Sequence, residues 1–243
     1  MKERFRDLME QGLGEYSIGL SDRQMNQFYE YYQLLLQWNK VMNLTAITEL
    51  EEVVTKHFVD SLALVKVLDR EILDGMKVLD LGTGAGFPGI PIKITFPGVK
   101  MVLLDSLNKR IKFLDEVIER LGLEDIRVIH GRAEDYGRDG QYREMFDLCV
   151  SRAVANLATL SEYCIPFVKI GGFFIPYKSG NVQEEIDQAK GALKLLGGRM
   201  EARAEFMLPG SDMSRMLLKI KKIEGTAKRY PRKAGMPGKE PLH

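Results

Sequence analysis

From Lys77 onward, short β-rich runs alternate with helical segments, and this alternation constrains the fold more than any other feature of the chain. Strands are expected at 77–81, 100–104, 126–130, 146–150 and 172–177, with helices at 89–96, 108–122, 157–168 and 181–196. That order builds a parallel sheet with helices on both faces. Two further apolar runs, 203–208 and 214–221, flank Pro209-Gly210-Ser211-Asp212 with no room for a helix between them. They are expected to close the sheet as an antiparallel pair. Residues 1–74 carry helical spacing instead. Ser21 and Gln24 form a capping-box pattern ahead of Phe28, Tyr31, Tyr32, Leu35 and Trp38, an aromatic stripe that reads as helix-packing core. Thr48 and Glu51 repeat the pattern ahead of Val53, Val54, Phe58, Leu62 and Val65, and residues 39–46 between the two read as a loop with Asn39 and Asn43 as turn and capping residues. Residues 225–239 hold five Lys or Arg, two Pro, three Gly and no acid, and read as an exposed irregular tail. The chain thus divides into a helical extension (1–74), an α/β core (75–224) and a basic tail (225–243).

Composition narrows the class. With 45% hydrophobic residues, 28% charged and a net charge of +1, the 243-residue chain is expected to be globular and not basic overall, although local patches can still guide a polyanion. The N-terminus MKERFRDLME has no apolar signal region, and no apolar run approaches the ~18 residues of a membrane span, so a cytoplasmic protein is expected. Cys149 and Cys164 lack metal spacing and read as core thiols in a reducing compartment. His57 and Asp60, three residues apart on a helix, are expected to make helix-face hydrogen bonds, and no metal is expected.

The loop after the first strand, within VLDLGTGAGFPGIP (78–91), sits where open α/β sheets bind ligands. Its glycines let the backbone turn sharply and approach a ligand. Gly84 to Gly89 matches the G-x-G-x-x-G of dinucleotide enzymes, whereas Asp80 to Gly86 matches the D-x-G-x-G-x-G of S-adenosylmethionine (AdoMet) methyltransferases. Asp80, two residues before Gly82, fits the second frame. Asp105, ending the next strand, can accept hydrogen bonds from both hydroxyls of a ribose, a device common to both classes. Pro88 lies where the helix begins and has no N–H for a pyrophosphate, which AdoMet does not carry. The loop therefore points to an adenosine-containing ligand, with AdoMet favoured over a nicotinamide cofactor.

The stretches WNKVMNLTA (38–46), HFVDSL (57–62), DLGTGAGFPGIP (80–91), LLDSLNKRIKFL (103–114), GRAED (131–135), SRAVA (151–155) and RYPRKAGMPGKEPL (229–242) resemble the bacterial small-subunit ribosomal RNA methyltransferase G family, also called glucose-inhibited division protein B. The resemblance spans most of the chain. It implies a class I AdoMet methyltransferase fold, a Rossmann-like seven-stranded and mostly parallel sheet with the N-terminal helices packed on it, and methylation of a guanine at N7 in 16S ribosomal RNA. The implied AdoMet site comprises Asp80, Gly82, Thr83, Gly84, Gly86 and Phe87 of the loop, Asp105 at the ribose, Ala133 and Glu134 at the adenine, and Arg152 facing the site. The chain departs from the family at Pro176-Tyr177-Lys178-Ser179-Gly180, where the glycine after Lys178 comes one residue late, and at Ala85, where proline is usual.

Guanine N7 has an exposed lone pair and no hydrogen, so its methylation needs no general base. The chain has no N-P-P-Y or D-P-P-Y stretch suited to an exocyclic amine, and Cys149 lacks the proline-cysteine setting of a cytosine-C5 nucleophile. A positioning mechanism is expected, with Arg152 and Lys178 holding guanine O6 or a flanking phosphate, and with an unpaired or flipped base as substrate. Arg152 also has a plain structural reading as an ion-pair partner, and Lys178 as an exposed lysine. Arg229, Arg232, Lys233 and Lys239 of the tail are candidate RNA contacts, with Lys109, Arg110 and Lys112 adding to them. The partner is expected to be 16S ribosomal RNA or the small subunit, and the protein a monomer. A nicotinamide oxidoreductase and a non-catalytic RNA-binding assembly factor are the competing functions.

Overall fold

The computed structural model describes residues 1–153, 155–180 and 182–243. Its centre is a seven-stranded sheet of order β3-β2-β1-β4-β5-β7-β6. Five strands, Lys77–Leu81 (β1), Lys100–Asp105 (β2), Ile126–His130 (β3), Phe146–Ser151 (β4) and Val168–Ser179 (β5), run parallel. Gly198–Met207 (β6) and Ser214–Lys222 (β7) form the expected hairpin, with β7 antiparallel to β5. The strand order reverses between the parallel neighbours β1 and β4, and the loops after β1, β2, β3 and β4 gather at one edge, where a ligand cleft forms.

Two hydrophobic cores sandwich the sheet. One face packs on helices α1 (Lys2–Gly14) and α2 (Asp22–Met42) and on a continuous helical segment of α3 (Leu50–Val53), a π-helical turn (Val54–Val59) and α4 (Asp60–Leu62). The same core takes in α5 (Gly89–Thr95) and α6 (Asn108–Leu121). Phe28 and Tyr31 of the aromatic stripe are fully buried against Phe58, so the stripe is packing core. The other face carries α8 (Leu157–Cys164) and α9 (Gln183–Leu196), with the short α7 (Ala133–Tyr136) at its rim. Cys149 and Cys164 are both buried free thiols there.

Several boundaries differ from the sequence expectation. α2 continues through Met42, so residues 39–42 are helical and the turn starts at Asn43, in the left-handed region at φ 48°. The Ser21–Gln24 capping box forms, whereas α3 starts at Leu50 without a side-chain cap from Thr48. Pro166 ends α8 at Cys164 and hands the chain to a 3₁₀ turn, Ile165–Phe167. β5 begins at Val168, because Gly171 (φ +87°) and Gly172 sit inside the strand at a register shift opposite Phe146–Leu148. A Cβ on Gly172 would lie 2.6 Å from Asp147 O, so that bulge needs glycine. Asn181, the expected start of α9, lies outside the described residues.

The tail is the largest correction. It is not an exposed strand of irregular chain: Thr226, Tyr230 and Pro237 are buried and the last turn forms α10 (Met236–Lys239). Arg143 donates to Tyr230 O (2.7 Å) and Thr226 O (2.5 Å), and Arg138 Nε to Pro231 O (2.7 Å). These arginines satisfy carbonyls that a loop without regular structure would otherwise leave open.

Candidate active site: two chambers meeting at Arg152

The glycine loop is shaped by bonds that run inward. Gly82, Gly84 and Gly86 hold φ of +71°, +63° and +94°, a region costly for other residues. Gly82 N donates to Leu104 O (2.8 Å) and Gly84 N to Asp105 Oδ2 (2.9 Å), which pins the loop to the end of β2. Asp80 is fully buried, and its Oδ2 accepts from Thr83 Oγ1 (2.6 Å) and Gly89 N (2.8 Å). Burial pushes its carboxyl up to about 7, against the lowering effect of those two hydrogen bonds. Asp80 and Gly86 thus build the loop from behind and do not face the cleft, a correction to the expected ligand contacts. Gly86 is backed by Ile90 and Tyr31, whose hydroxyl donates to Ala85 O.

The same bonds exclude a pyrophosphate. At the start of α5, Gly89 N is taken by Asp80, Ile90 N by Gly86 O (2.8 Å), and Pro91 has no N–H. No free donor faces an anion there, which removes the physical basis of dinucleotide binding at a helix N-terminus.

In front of the loop lies a cleft of about 820 Å³. Gly82, Thr83, Gly84 and Phe87 line one side, Asp105 the end of β2, and Ala133 and Glu134 the far side. The carboxylate of Asp105, nearly buried, lies at the cleft wall with Arg110 Nη1 3.0 Å from its Oδ2, and the small Ala133 keeps the far side open. Arginine and tyrosine side chains, Arg132 and Tyr163, close the outer wall. Glu134 also accepts from Gly235 N (2.9 Å), tying the tail to this wall. The donor and acceptor set fits an adenosine moiety with an amino-acid extension.

A second chamber of about 870 Å³ adjoins the first, and His57, Arg152, Ala153 and Ala155 line both. Arg152 is held from four directions. Its Nη1 donates to Asp60 Oδ2 (3.1 Å) and Lys56 O (3.0 Å), its Nη2 contacts His57 Nδ1 (3.3 Å), and its guanidinium lies 5.1 Å from the Phe87 ring centroid. The π-helical turn makes this possible. Asp60 N bonds to Thr55 O and His57 O and skips Lys56 O, leaving that carbonyl for Arg152. Because arginine can only donate, His57 Nδ1 accepts and its Nε2 carries the proton toward Thr45 Oγ1 (2.9 Å). Burial and then the Arg152 charge depress the imidazole to about 3, so it stays neutral, stacked 4.4 Å from Phe87. The side chains of His57 and Asp60 do not bond to each other; both serve Arg152. Asp60 Oδ1 holds Arg215 Nε (3.0 Å) as well.

Lys178 is not an exposed lysine. Its Nζ donates to Ala155 O (2.7 Å) and pairs with Glu185 (2.5 Å) at the wall of the second chamber. Of the tail candidates, Arg229, Lys233 and Lys239 are exposed, and no ion pair forms at them among the described residues. Arg232 differs. It grips the fully buried Glu162 through Nε (3.0 Å) and Nη2 (2.7 Å), and so is an internal ion-pair partner and not a surface contact.

The family model of GidB, rRNA small subunit methyltransferase G, matches residues 24–209. The chain belongs to the rRNA small subunit methyltransferase G family. It is 55% identical to the Ribosomal RNA small subunit methyltransferase G of Lachnoclostridium phytofermentans over 96% of this chain and 95% of that one. It is 50% identical to the protein of the same name from Thermoanaerobacter sp., over the full length of both. Among solved structures, M. jannaschii TYW2 in complex with AdoMet superposes with a TM-score of 0.51 at 15% identity, over 64% of this chain and 75% of that one, a likeness of fold. A GidB-family chain on this sheet is an AdoMet-dependent methyltransferase, and the nicotinamide alternative falls away.

Thr45 and Arg215 of this GidB-family chain escaped the sequence as site residues, and His57 was expected only to make a helix-face hydrogen bond. Thr45 and His57 lie within the stretches WNKVMNLTA and HFVDSL that carried the resemblance, yet nothing in their spacing foretold a π turn. Arg215 lies in the apolar run 214–221, whose pattern marked a strand and gave no signal for a site residue.

Proposed function

We propose that this enzyme methylates N7 of a guanine in 16S ribosomal RNA by positioning alone. The observation that carries the reading is the junction of the two chambers at Arg152. AdoMet, held by Gly82, Thr83, Gly84, Phe87, Asp105, Ala133 and Glu134, supplies an electrophilic methyl on its sulfonium. The second chamber presents Lys56, Arg152, Lys178 and Arg215 against only Asp60 and Glu185, an excess of donors suited to guanine O6 and phosphate. Nη1 of Arg152 is consumed by Asp60 and Lys56, while Nε and one Nη2 hydrogen remain for the base. Lys178 steadies the Ala155 carbonyl at the junction and sits within the same wall.

Nothing in the chamber has to take a proton. His57 is too weakly basic and its Nδ1 already faces Arg152. N7 brings its own lone pair, so the protein's task is to hold it ~3–3.5 Å from the methyl and in line. The unpaired or flipped base enters from the side of Met213 and Arg215, and exposed Arg229, Lys233 and Lys239 contact the RNA backbone. The reading includes a cytoplasmic monomer acting on the RNA or the small subunit; no helix among the described residues is long and apolar enough to cross a membrane.

The test is methyl transfer from labelled AdoMet to small subunits that lack the modification, followed by mass spectrometry of digested RNA. Label at N7 of one guanine in 16S RNA is expected. Binding without incorporation would instead mark a non-catalytic assembly factor, and label on another atom would overturn the positioning chemistry.

A further inference from the structure

Asp105 has an internal occupant. Its Oδ1 accepts from Leu107 N (2.9 Å) and its Oδ2 from Gly84 N (2.9 Å), bonds that fix the carboxylate between two loops. The remaining acceptor direction of each oxygen is covered by a single group, Arg110 Nη1, which stands 3.0 Å from Oδ2 and 3.3 Å from Oδ1. A ribose diol needs one acceptor direction on each oxygen. Those are the two that Arg110 straddles, so ribose and guanidinium exclude one another at Asp105.

Arg110 is free to leave. It is the third residue of α6, its backbone N is fixed to Leu107 O (2.9 Å), and its side chain is one-third exposed (34%). A pair wetted on the arginine side exchanges readily. Rotation of the side chain alone carries the guanidinium to the cleft rim. Arg132, which lines the cleft, and Lys109, the residue before Arg110 in α6, are exposed, without ion pairs among the described residues.

The geometry points to Arg110 as a shared residue of the two substrates: it stands in for the ribose when the cleft holds none, and is displaced by the ribose to bind an RNA phosphate beside Lys109 and Arg132. The inference rests on Asp105 being the ribose acceptor. Displacement links the two ligands positively, and by reciprocity each tightens the other by the same factor.

The test uses the full chain, an in vitro 16S RNA transcript and S-adenosylhomocysteine, which has the ribose and no methyl to transfer. Saturating S-adenosylhomocysteine is expected to tighten RNA binding by the wild type about fivefold at fixed salt. It should also steepen the dependence on salt by about one phosphate contact. Arg110→Ala is expected to bind S-adenosylhomocysteine alone about threefold more tightly, having lost the internal competitor, with RNA affinity no longer responding to it. Arg110→Gln, which keeps side-chain bulk, should behave the same way, and circular dichroism should show both folded. Weaker S-adenosylhomocysteine binding by either variant, or retained coupling, overturns the inference. Asp105→Asn separates the premise: unchanged S-adenosylhomocysteine affinity there would remove the ribose assignment itself, whereas lost affinity keeps it and leaves the Arg110 result decisive.

Discussion

Asp60 Oδ2 lies 3.1 Å from Arg152 Nη1, and the opposite oxygen of the same carboxylate lies 3.0 Å from Arg215 Nε. One nearly buried anion therefore aims two cations at the junction between the chambers. Asp60→Asn keeps the shape and removes the charge, so both arginines lose their orientation. The turnover number is expected to fall at least tenfold while the Kd for AdoMet changes less than about twofold, since Asp60 does not line the cofactor cleft. Asp60→Ala should in addition lower stability by about 3 kcal/mol, as expected when a buried pair loses one partner. Steady-state kinetics beside urea unfolding separates the two effects.

Gly89 is needed for contact between α5 and the sheet, not for an unusual backbone angle. A Cβ there would press on Leu103 Cδ2 and stand 2.8 Å from Asp80 Oδ2. Gly89→Ala should cost about 1–3 kcal/mol by overpacking and shift Asp80, loosening the loop that Gly89 N and Thr83 Oγ1 tie to it. Thermal unfolding and AdoMet titration should both worsen. An unchanged melting curve would show that α5 moves aside freely.

Tyr31→Phe removes the hydroxyl that donates to Ala85 O and leaves that carbonyl without its partner. The ring still packs against Phe58 and Phe87, so the fold should survive with a loss of about 1–2 kcal/mol. AdoMet affinity is expected to drop more than RNA affinity, because Ala85 belongs to the cofactor loop. Equal losses in both would assign Tyr31 to the core alone.

The pH dependence of stability follows from His57. Its folded value of about 3 lies below the ~6.5 of an unfolded histidine, so between these values the unfolded chain binds a proton that the native state refuses. This contribution is complete above pH 6.5 and is lost as pH falls toward 3. Asp80 acts oppositely: raised to about 7, it contributes stability that is lost as pH rises from ~4 to 7. Comparing wild type with His57→Gln cancels Asp80. The wild type should lose melting temperature faster than the variant between pH 6.5 and 4, and parallel curves would refute a neutral native His57.

The tail separates into two kinds of cation. Arg232→Ala breaks the pair with buried Glu162 and should cost about 3 kcal/mol. Neutralising Arg229, Lys233 and Lys239 together should leave the melting temperature unchanged, weaken RNA binding and reduce its salt slope by up to about three contacts. If the triple variant binds RNA normally, the tail is structural throughout.

These sites were legible to different depths. β1, β2 and β4 could be read because buried parallel strands are near-continuous apolar runs, the edge strand β3 by its alternation of apolar and polar residues, and β2 announces its end with Asp105. β5 could not be delimited, since Gly171-Gly172 signals a turn locally while pairing with β4 and β7 makes it a bulge within one strand. The glycine loop gave the ligand class, but the inward aim of Asp80 depends on where α5 packs. Arg232 and Arg229 are three residues apart in one basic run; only the position of Glu162, 70 residues earlier, distinguishes them. Arg152 was found through the motif that contains it, and its support by Asp60 and Lys56 was invisible because the π turn has no sequence signature.

That turn also sets how the segment tolerates changes in length. A helix advances about 100° per residue, so deleting any one residue from 54–59 would restore regular helical pairing while swinging Asp60 a quarter-turn and more away from its arginines. The shorter chain would keep its core and lose its aim, so the length of this one turn is itself a constraint on the junction of the two chambers.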